Sequence, residues 1–288
     1  MQLSVRYSTT YNYDAPALRL VQLLRVTPAS FVGQTVLDWR IDVDSDVRLR
    51  EHRDGYGNIV HMLYMDRPPG GLEVRVSGRV LTDNHAGLVD GLPFDLPPPV
   101  FLRPTPLTGI GGSLTTLIHA LEHHRGGVRA LLHHLNERIF LRMKFDAEAT
   151  AVDTSADAAF EAGHGVCQDF THIFIAVCRG LGIPARYVSG HLFRRDGATR
   201  QPATHAWAEA FDPELGWIAF DPTHGICTDD AYVRVACGLD YRDAAPFSGT
   251  VAGGGSQSLS VDVEVDEVRS QRQQQQQGLE GQRQSQES

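Results

Sequence analysis

The feature that most restricts the fold is a change of hydrophobic period just before Pro184. Upstream, VCQDFTHIFIAVCRGL (166–181) carries Phe170, Phe174, Val177 and Leu181 at helical spacing, and Gly180, Gly182 and Pro184 end the run. Downstream the period is two. IPARYVSGHLFR, THAWAEAFD and GWIAFDPTH read as consecutive strands, with DPELG a tight turn between the last two. A helix followed by an antiparallel sheet is an α+β layout, since each element must bury its apolar side against the other. In THAWAEAFD the alternation puts Ala206, Ala208 and Ala210 on one side and His205, Trp207, Glu209 and Phe211 on the other. Three methyl groups in a row let a helix or a second sheet come close. SLSVDVEVDEV, with Leu259, Val261, Val263 and Val265 on one face, is expected to be the final strand of this part.

The start of the chain is different. LSVRYSTTYNY, QTVLDWRIDVD, NIVHMLYMD and LEVRVSGRVLT alternate apolar and polar residues between DG, YGN and PPGG turns. In the last of these, Leu72, Val74, Val76 and Val80 keep one phase and Gly78 takes the intervening inward position. Residues 1–83 are therefore expected to form a β-sandwich. Residues 84–112 are rich in Pro and Gly and read as an extended connector without regular elements, held against its neighbours by Phe94, Leu96, Val100, Phe101 and Leu102. Residues 113–266 form the α+β part, which opens with helix over 114–140 interrupted at Gly126 and Gly127. Beyond it, 267–288 is a Gln-rich tail too polar to offset the entropy of ordering, so disorder is expected there.

At 288 residues, two parts of unequal size are more reasonable than one core. A net charge of −9 without a basic cluster gives no surface for nucleic acid. No apolar stretch approaches the roughly 18 residues a membrane span needs, and the first residues lack the charged-then-apolar pattern of a signal peptide. Cys167, Cys178, Cys227 and Cys237 form no CxxC pair, so thiols in a cytoplasmic setting are expected. His119, His123, His124, His133 and His134 lack an HExxH pattern and read as solvated or capping groups rather than a metal site.

The chemistry gathers in GHGVCQDF. Cys167 stands at the first turn of a helix, where free amides and the positive dipole end attract a thiolate and an oxyanion alike. Cys178 lies three turns further along, roughly 16 Å away by helical rise, and cannot share its centre. His205 opens one strand and Asp221 closes the next, so the DPELG turn brings them side by side; an imidazole there can take a thiol proton while the aspartate fixes its tautomer. Around them, Gln168 is a candidate for the cleft, Trp207 for its cover or for ordinary core, and His164 and His224 for substrate contacts or solvated loops. Asp169 can tether the helix start.

GVCQDFTHIFIAVCRGLGIPARYVSG, THAWAEAF and GWIAFDPTHG, in that order, resemble the three motifs of the transglutaminase-like superfamily, which includes transglutaminases, microbial cysteine proteases and related amidases. The β-rich start, the DTSADAAFEAG approach and the final strand also resemble its bacterial two-domain members. The resemblance implies a papain-like catalytic core behind a β-sandwich, with the nucleophile falling on Cys167, the histidine of HAW on His205 and the aspartate of DPT on Asp221. It implies a peptide or protein substrate, Gln side chains among the candidates; the core segments carry neither a DxDxDG run nor a set of metal cysteines, so no metal and no cofactor are expected. Thiol-dependent amide hydrolysis ranks first because water needs no second binding site. A protein-glutamine transamidase or deamidase using an amine acceptor on the same triad is the alternative, and a non-catalytic binding module is the third reading. Papain-like relatives place an oxyanion-donating glutamine upstream of the nucleophile; Glu161 stands in that neighbourhood here, which leaves the second donor open.

Overall fold

The computed structural model describes residues 1–68, 70–148 and 150–268. In chain order the elements are β1 (Gln2–Tyr13), β2 (Ala17–Thr27), β3 (Gln34–Val43), β4 (Arg50–Arg53), β5 (Ile59–Asp66), β6 (Gly71–Thr82), β7 (Leu88–Val89) and a 3-10 turn (Pro98–Leu102). Then come α1 (Gly112–Leu121), α2 (Gly127–Arg142), β8 (Lys144–Phe145), α3 (Ala156–Ala162), β9 (His164–Gly165), α4 (Cys167–Gly180), β10 (Ala185–Leu192), β11 (Arg200–Gln201), β12 (His205–Asp212), β13 (Gly216–Asp221), β14 (Ile226–Cys227), β15 (Tyr232–Gly238), α5 (Tyr241–Ala244), β16 (Phe247–Gly253) and β17 (Gln257–Glu267). The architecture is α+β and mostly strand.

Two sheets face each other at the start of the chain, one ordered β11-β17-β1-β6-β3 and the other β16-β2-β5-β4. Their inner faces share a core of Leu3, Val5, Leu20, Leu24, Leu63, Val74, Val76, Val263 and Val265, as alternation in a two-layer sandwich requires. Gly78 keeps its inward place because a Cβ there would stand 2.3 Å from the Trp39 ring. Strand β2 escaped the pattern reading because Gln22, only 5% exposed, occupies an inward position and breaks the apolar alternation.

The placement of the last strands differs from expectation. β17 pairs with β1 from Leu3↔Glu267 to Tyr13↔Gln257, and β16 pairs with β2. SLSVDVEVDEV therefore completes the sandwich rather than the helix-covered sheet. Both sheets offer apolar faces and its alternation fits either, so nothing local to the strand distinguishes them. The connector also carries regular structure: β7 pairs with β13, and the 3-10 turn buries Phe101. Of the expected tail, Glu267 ends β17 and residues 269–288 lie outside the described residues.

The second sheet system is ordered β14-β13-β12-β10-β15, with β7 added to β13. Helix α4 lies on the alanine face of β12: Ala206, Ala208 and Ala210 belong to the same core as Phe170, Phe174 and Val177. Helices α1, α2 and α3 pack around α4. Tight helix-to-sheet packing fixes where the first turn of α4 ends up, and that turn carries Cys167. Among the described residues, no helix is long and apolar enough to cross a membrane.

Candidate active site

The entry into α4 is built for a sharp turn. Gly163 closes α3 at φ 76°, a left-handed conformation that favours glycine. At Gly165, a Cβ would stand 2.6 Å from Asp169 Oδ2, so only glycine fits where the chain turns into the helix. Asp169 Oδ2 accepts the Val166 amide at 2.8 Å and the Thr150 hydroxyl at 2.6 Å. Burial raises the proton affinity of this carboxyl against those bonds. Cys167, the first residue of α4, is partly exposed, and its carbonyl accepts the Thr171 hydroxyl at 2.7 Å. The Asp169 amide donates to the Val166 carbonyl at 2.9 Å, while the open helix start at Cys167 and Gln168 leaves positive potential beside the thiol.

His205 and Asp221 meet where β12 starts and β13 ends. The antiparallel register, with Ala208 opposite Phe220, brings the two ends together. His205 Nε2 donates to Asp221 Oδ2 at 2.6 Å, which leaves Nδ1 for the Cys167 thiol. Burial opposes the imidazolium, but the Asp221 charge and hydrogen bond, with a further contribution from Cys167, push the ring up to about 10. Asp221 is fully buried. Desolvation works against its charge, yet His205 and His224 hold the carboxyl well below the usual range.

Asp221 accepts more bonds than the sequence indicated. Oδ2 also takes His224 Nδ1 at 2.7 Å and the Tyr232 hydroxyl at 2.8 Å, while Oδ1 takes the Thr223 amide at 2.9 Å and the His224 amide at 3.3 Å. His224 thus anchors to the carboxylate through one nitrogen while its side chain stays 47% exposed. Tyr232 went unnoticed because β15 lies at the far side of the sheet order, and no local motif ties it to Asp221.

The other expected residues scatter. The Gln168 side-chain amide donates to the Val152 carbonyl at 2.9 Å. Trp207 is buried behind His205, with ring centres 6.2 Å apart, in a cluster with Val188, Ala219 and Tyr232. His164 sits on β9, and its buried Nδ1 has no hydrogen-bond partner among the described residues. Glu161 is exposed on α3. On the helical arm, His119 pairs with Glu122 at 3.2 Å, His124 stacks on His134 and His133 meets Phe220 edge-on. The four cysteines are free.

Below the site a charged network braces the sheet. Glu209 is wholly buried between Arg186, at 2.5 Å, and Arg234, at 2.7 Å. Despite the cost of burial, these two guanidinium groups lower its carboxyl to about 2. Arg186 continues to Asp95 at 2.6 Å and lies 3.9 Å above the Trp217 ring, and Trp217 Nε1 also donates to Asp95. The connector is thereby tied to the sheet that carries His205.

Among the described residues, His205, Asp221 and His224 are the one group of three or more ligand-type side chains within 4.8 Å of one another. Their separations of 2.6 and 2.7 Å are hydrogen-bond contacts. A tetrahedral ion with bonds near ~2.0 Å holds its ligands about 3.3 Å apart. The group does not fit a metal in this arrangement.

Comparison with known proteins adds five findings. The family model described as the transglutaminase-like superfamily matches residues 117–222, and that of the bacterial transglutaminase-like N-terminal region matches residues 3–81. An uncharacterized protein of Mycobacterium leprae is 30% identical, with 92% of this chain and 98% of that protein covered. A protein-glutamine gamma-glutamyltransferase of Pseudomonas aeruginosa is 32% identical over 39% of this chain and 17% of that protein. The crystal structure of a candidate cysteine protease from Cytophaga hutchinsonii superposes with a TM-score of 0.76 at 24% identity, covering 94% of this chain and 91% of that one.

Proposed function

Because the chain belongs to the transglutaminase-like superfamily, we propose that it is a thiol-dependent amide hydrolase, a peptidase or amidase working through an acyl-thioenzyme. The observation that carries this reading is the His205 ring, bound through Nε2 to a buried Asp221 and influenced by the Cys167 thiol at the start of α4. With the proton of the thiol already held on His205, Cys167 Sγ bonds to the substrate carbonyl carbon. First-turn amides of α4 receive the developing oxyanion. As the C–N bond breaks, the imidazolium returns the proton to the departing amine or ammonia. Water, deprotonated by His205, then attacks the thioester, and carboxylate and thiol are regenerated. Unpaired cysteines fit the cytoplasmic setting expected from the sequence.

The same intermediate can pass to an amine. The similarity to the Pseudomonas aeruginosa gamma-glutamyltransferase favours this second reading, in which a glutamine side chain is the acyl donor. Both are tested by peptide-resolved iodoacetamide labelling of Cys167, with and without His205→Ala, followed by glutamine peptides offered with and without a primary amine. Fast labelling near neutral pH that collapses in the variant supports the acyl-thioenzyme. Labelling as slow as that of a free thiol, unchanged by the substitution, removes it. An amine adduct on the peptide replaces hydrolysis by transfer.

A further inference from the structure

We infer that Tyr232 is a positioning residue that tempers the Asp221 carboxylate and so governs how readily His205 releases its proton. The inference deepens the acyl-transfer reading and rests on it. One oxygen, Asp221 Oδ2, receives three side-chain donors: His205 Nε2 at 2.6 Å, His224 Nδ1 at 2.7 Å and the Tyr232 hydroxyl at 2.8 Å. A carboxylate oxygen that shares its charge among several donors attracts each of them less. The phenol is neutral at every pH of interest. Burial, and then the Asp221 charge, keep it protonated.

The Tyr232 ring is fixed independently of its hydroxyl. It meets Trp207 edge-on at 5.4 Å and lies 6.0 Å from the His205 ring. The ionisable groups facing the pair are Cys167 from α4, His224 from the loop after β13 and Tyr232 from β15. Asp229 and Arg195 act on Tyr232 in opposite directions.

A His205 bound too tightly by Asp221 keeps its proton, which slows both protonation of the leaving group and activation of water. Tyr232 relieves that grip. It touches neither thiol nor substrate in this scheme.

The test is the histidine NMR titration of His205 in Cys167→Ala protein, which takes the thiolate contribution away from the ring. Tyr232→Phe, which retains the ring packing, is expected to raise the His205 midpoint by about one pH unit, equivalent to about 1.4 kcal/mol. The shift is expected to vanish in the Asp221→Asn background. An unchanged or lowered midpoint, or a shift that survives Asp221→Asn, overturns the inference. Should Tyr232→Phe not fold, a fluorotyrosine at position 232, a stronger donor, is expected to lower the midpoint, and no change there is equally fatal. Iodoacetamide labelling of Cys167 in the wild type separately tests the acyl-transfer reading, so the two failures are distinguishable.

Discussion

Asp221 Oδ2 lies 2.6 Å from His205 Nε2, and neither charge can be hydrated well because Asp221 is fully buried and His205 is 9% exposed. Removing the charge without changing the shape isolates what it contributes. Asp221→Asn is expected to lower turnover roughly ten-thousandfold, and to bring the His205 ring down from its raised value of about 10, since the Asp221 charge and hydrogen bond are what raise it. Histidine NMR titration of the two proteins reads that change directly.

Stability carries the same signature. His205 has a folded value raised to about 10, so its contribution is fully present below its ordinary value near 6.5 and is lost as pH rises through about 10. Asp221 has a depressed folded value, so its contribution is present above its ordinary value near 3.8 and is lost as pH falls toward the lower folded one. Urea midpoints of the wild type should therefore fall between pH 7 and pH 10. Those of His205→Gln should be flatter over that range.

Ala208 tests the close approach of α4. Its side chain is fully buried in the core shared with Phe170 and Phe174. Ala208→Leu is expected to cost about 1–3 kcal/mol through overpacking. Pushing α4 outward also separates Cys167 from His205, so labelling of the thiol should slow in protein that remains folded. Chemical denaturation and labelling rates measure the two effects.

Glu209 is a buried carboxylate between two arginines. Glu209→Gln leaves Arg186 and Arg234 without their shared charge and is expected to destabilise the protein by about 3–5 kcal/mol. Asp95→Asn should cost less, since the Asp95 side chain is 38% exposed. Urea unfolding of the two variants gives the ranking.

Chain length offers a fifth test. Ending the chain at residue 256 removes β17, uncovers the edge of β1 and takes Val263 and Val265 out of the sandwich core. Such a protein is expected to be insoluble or unfolded by circular dichroism. A chain ending at residue 268 retains all of β17 and is the control for that loss.

The helix and three strands around the site were legible because their signals are local: a 3.6 period closed by glycines in α4, and the alternation and turn that align β12 with β13. The same turn predicted that His205 and Asp221 would be neighbours. What escaped was set by pairing between distant segments. β17 alternates equally well for either sheet, and only its fit against β1 decides. Tyr232 is an ordinary strand tyrosine until the fold carries its hydroxyl to Asp221, and Gln22 hid β2 by occupying a buried polar position. Local periodicity finds elements; long-range register finds their partners.

The pairing of β1 with β17 also has a temporal meaning. Leu3 waits for Glu267, and Tyr13 for Gln257, so the sandwich cannot close on a growing polypeptide until nearly all of the helix-covered part that carries Cys167 has been made. Contacts of such sequence separation slow folding. During synthesis the strands at the start remain an open edge, exposed to pairing with other chains. A nascent chain of this design depends on β17 for protection of β1.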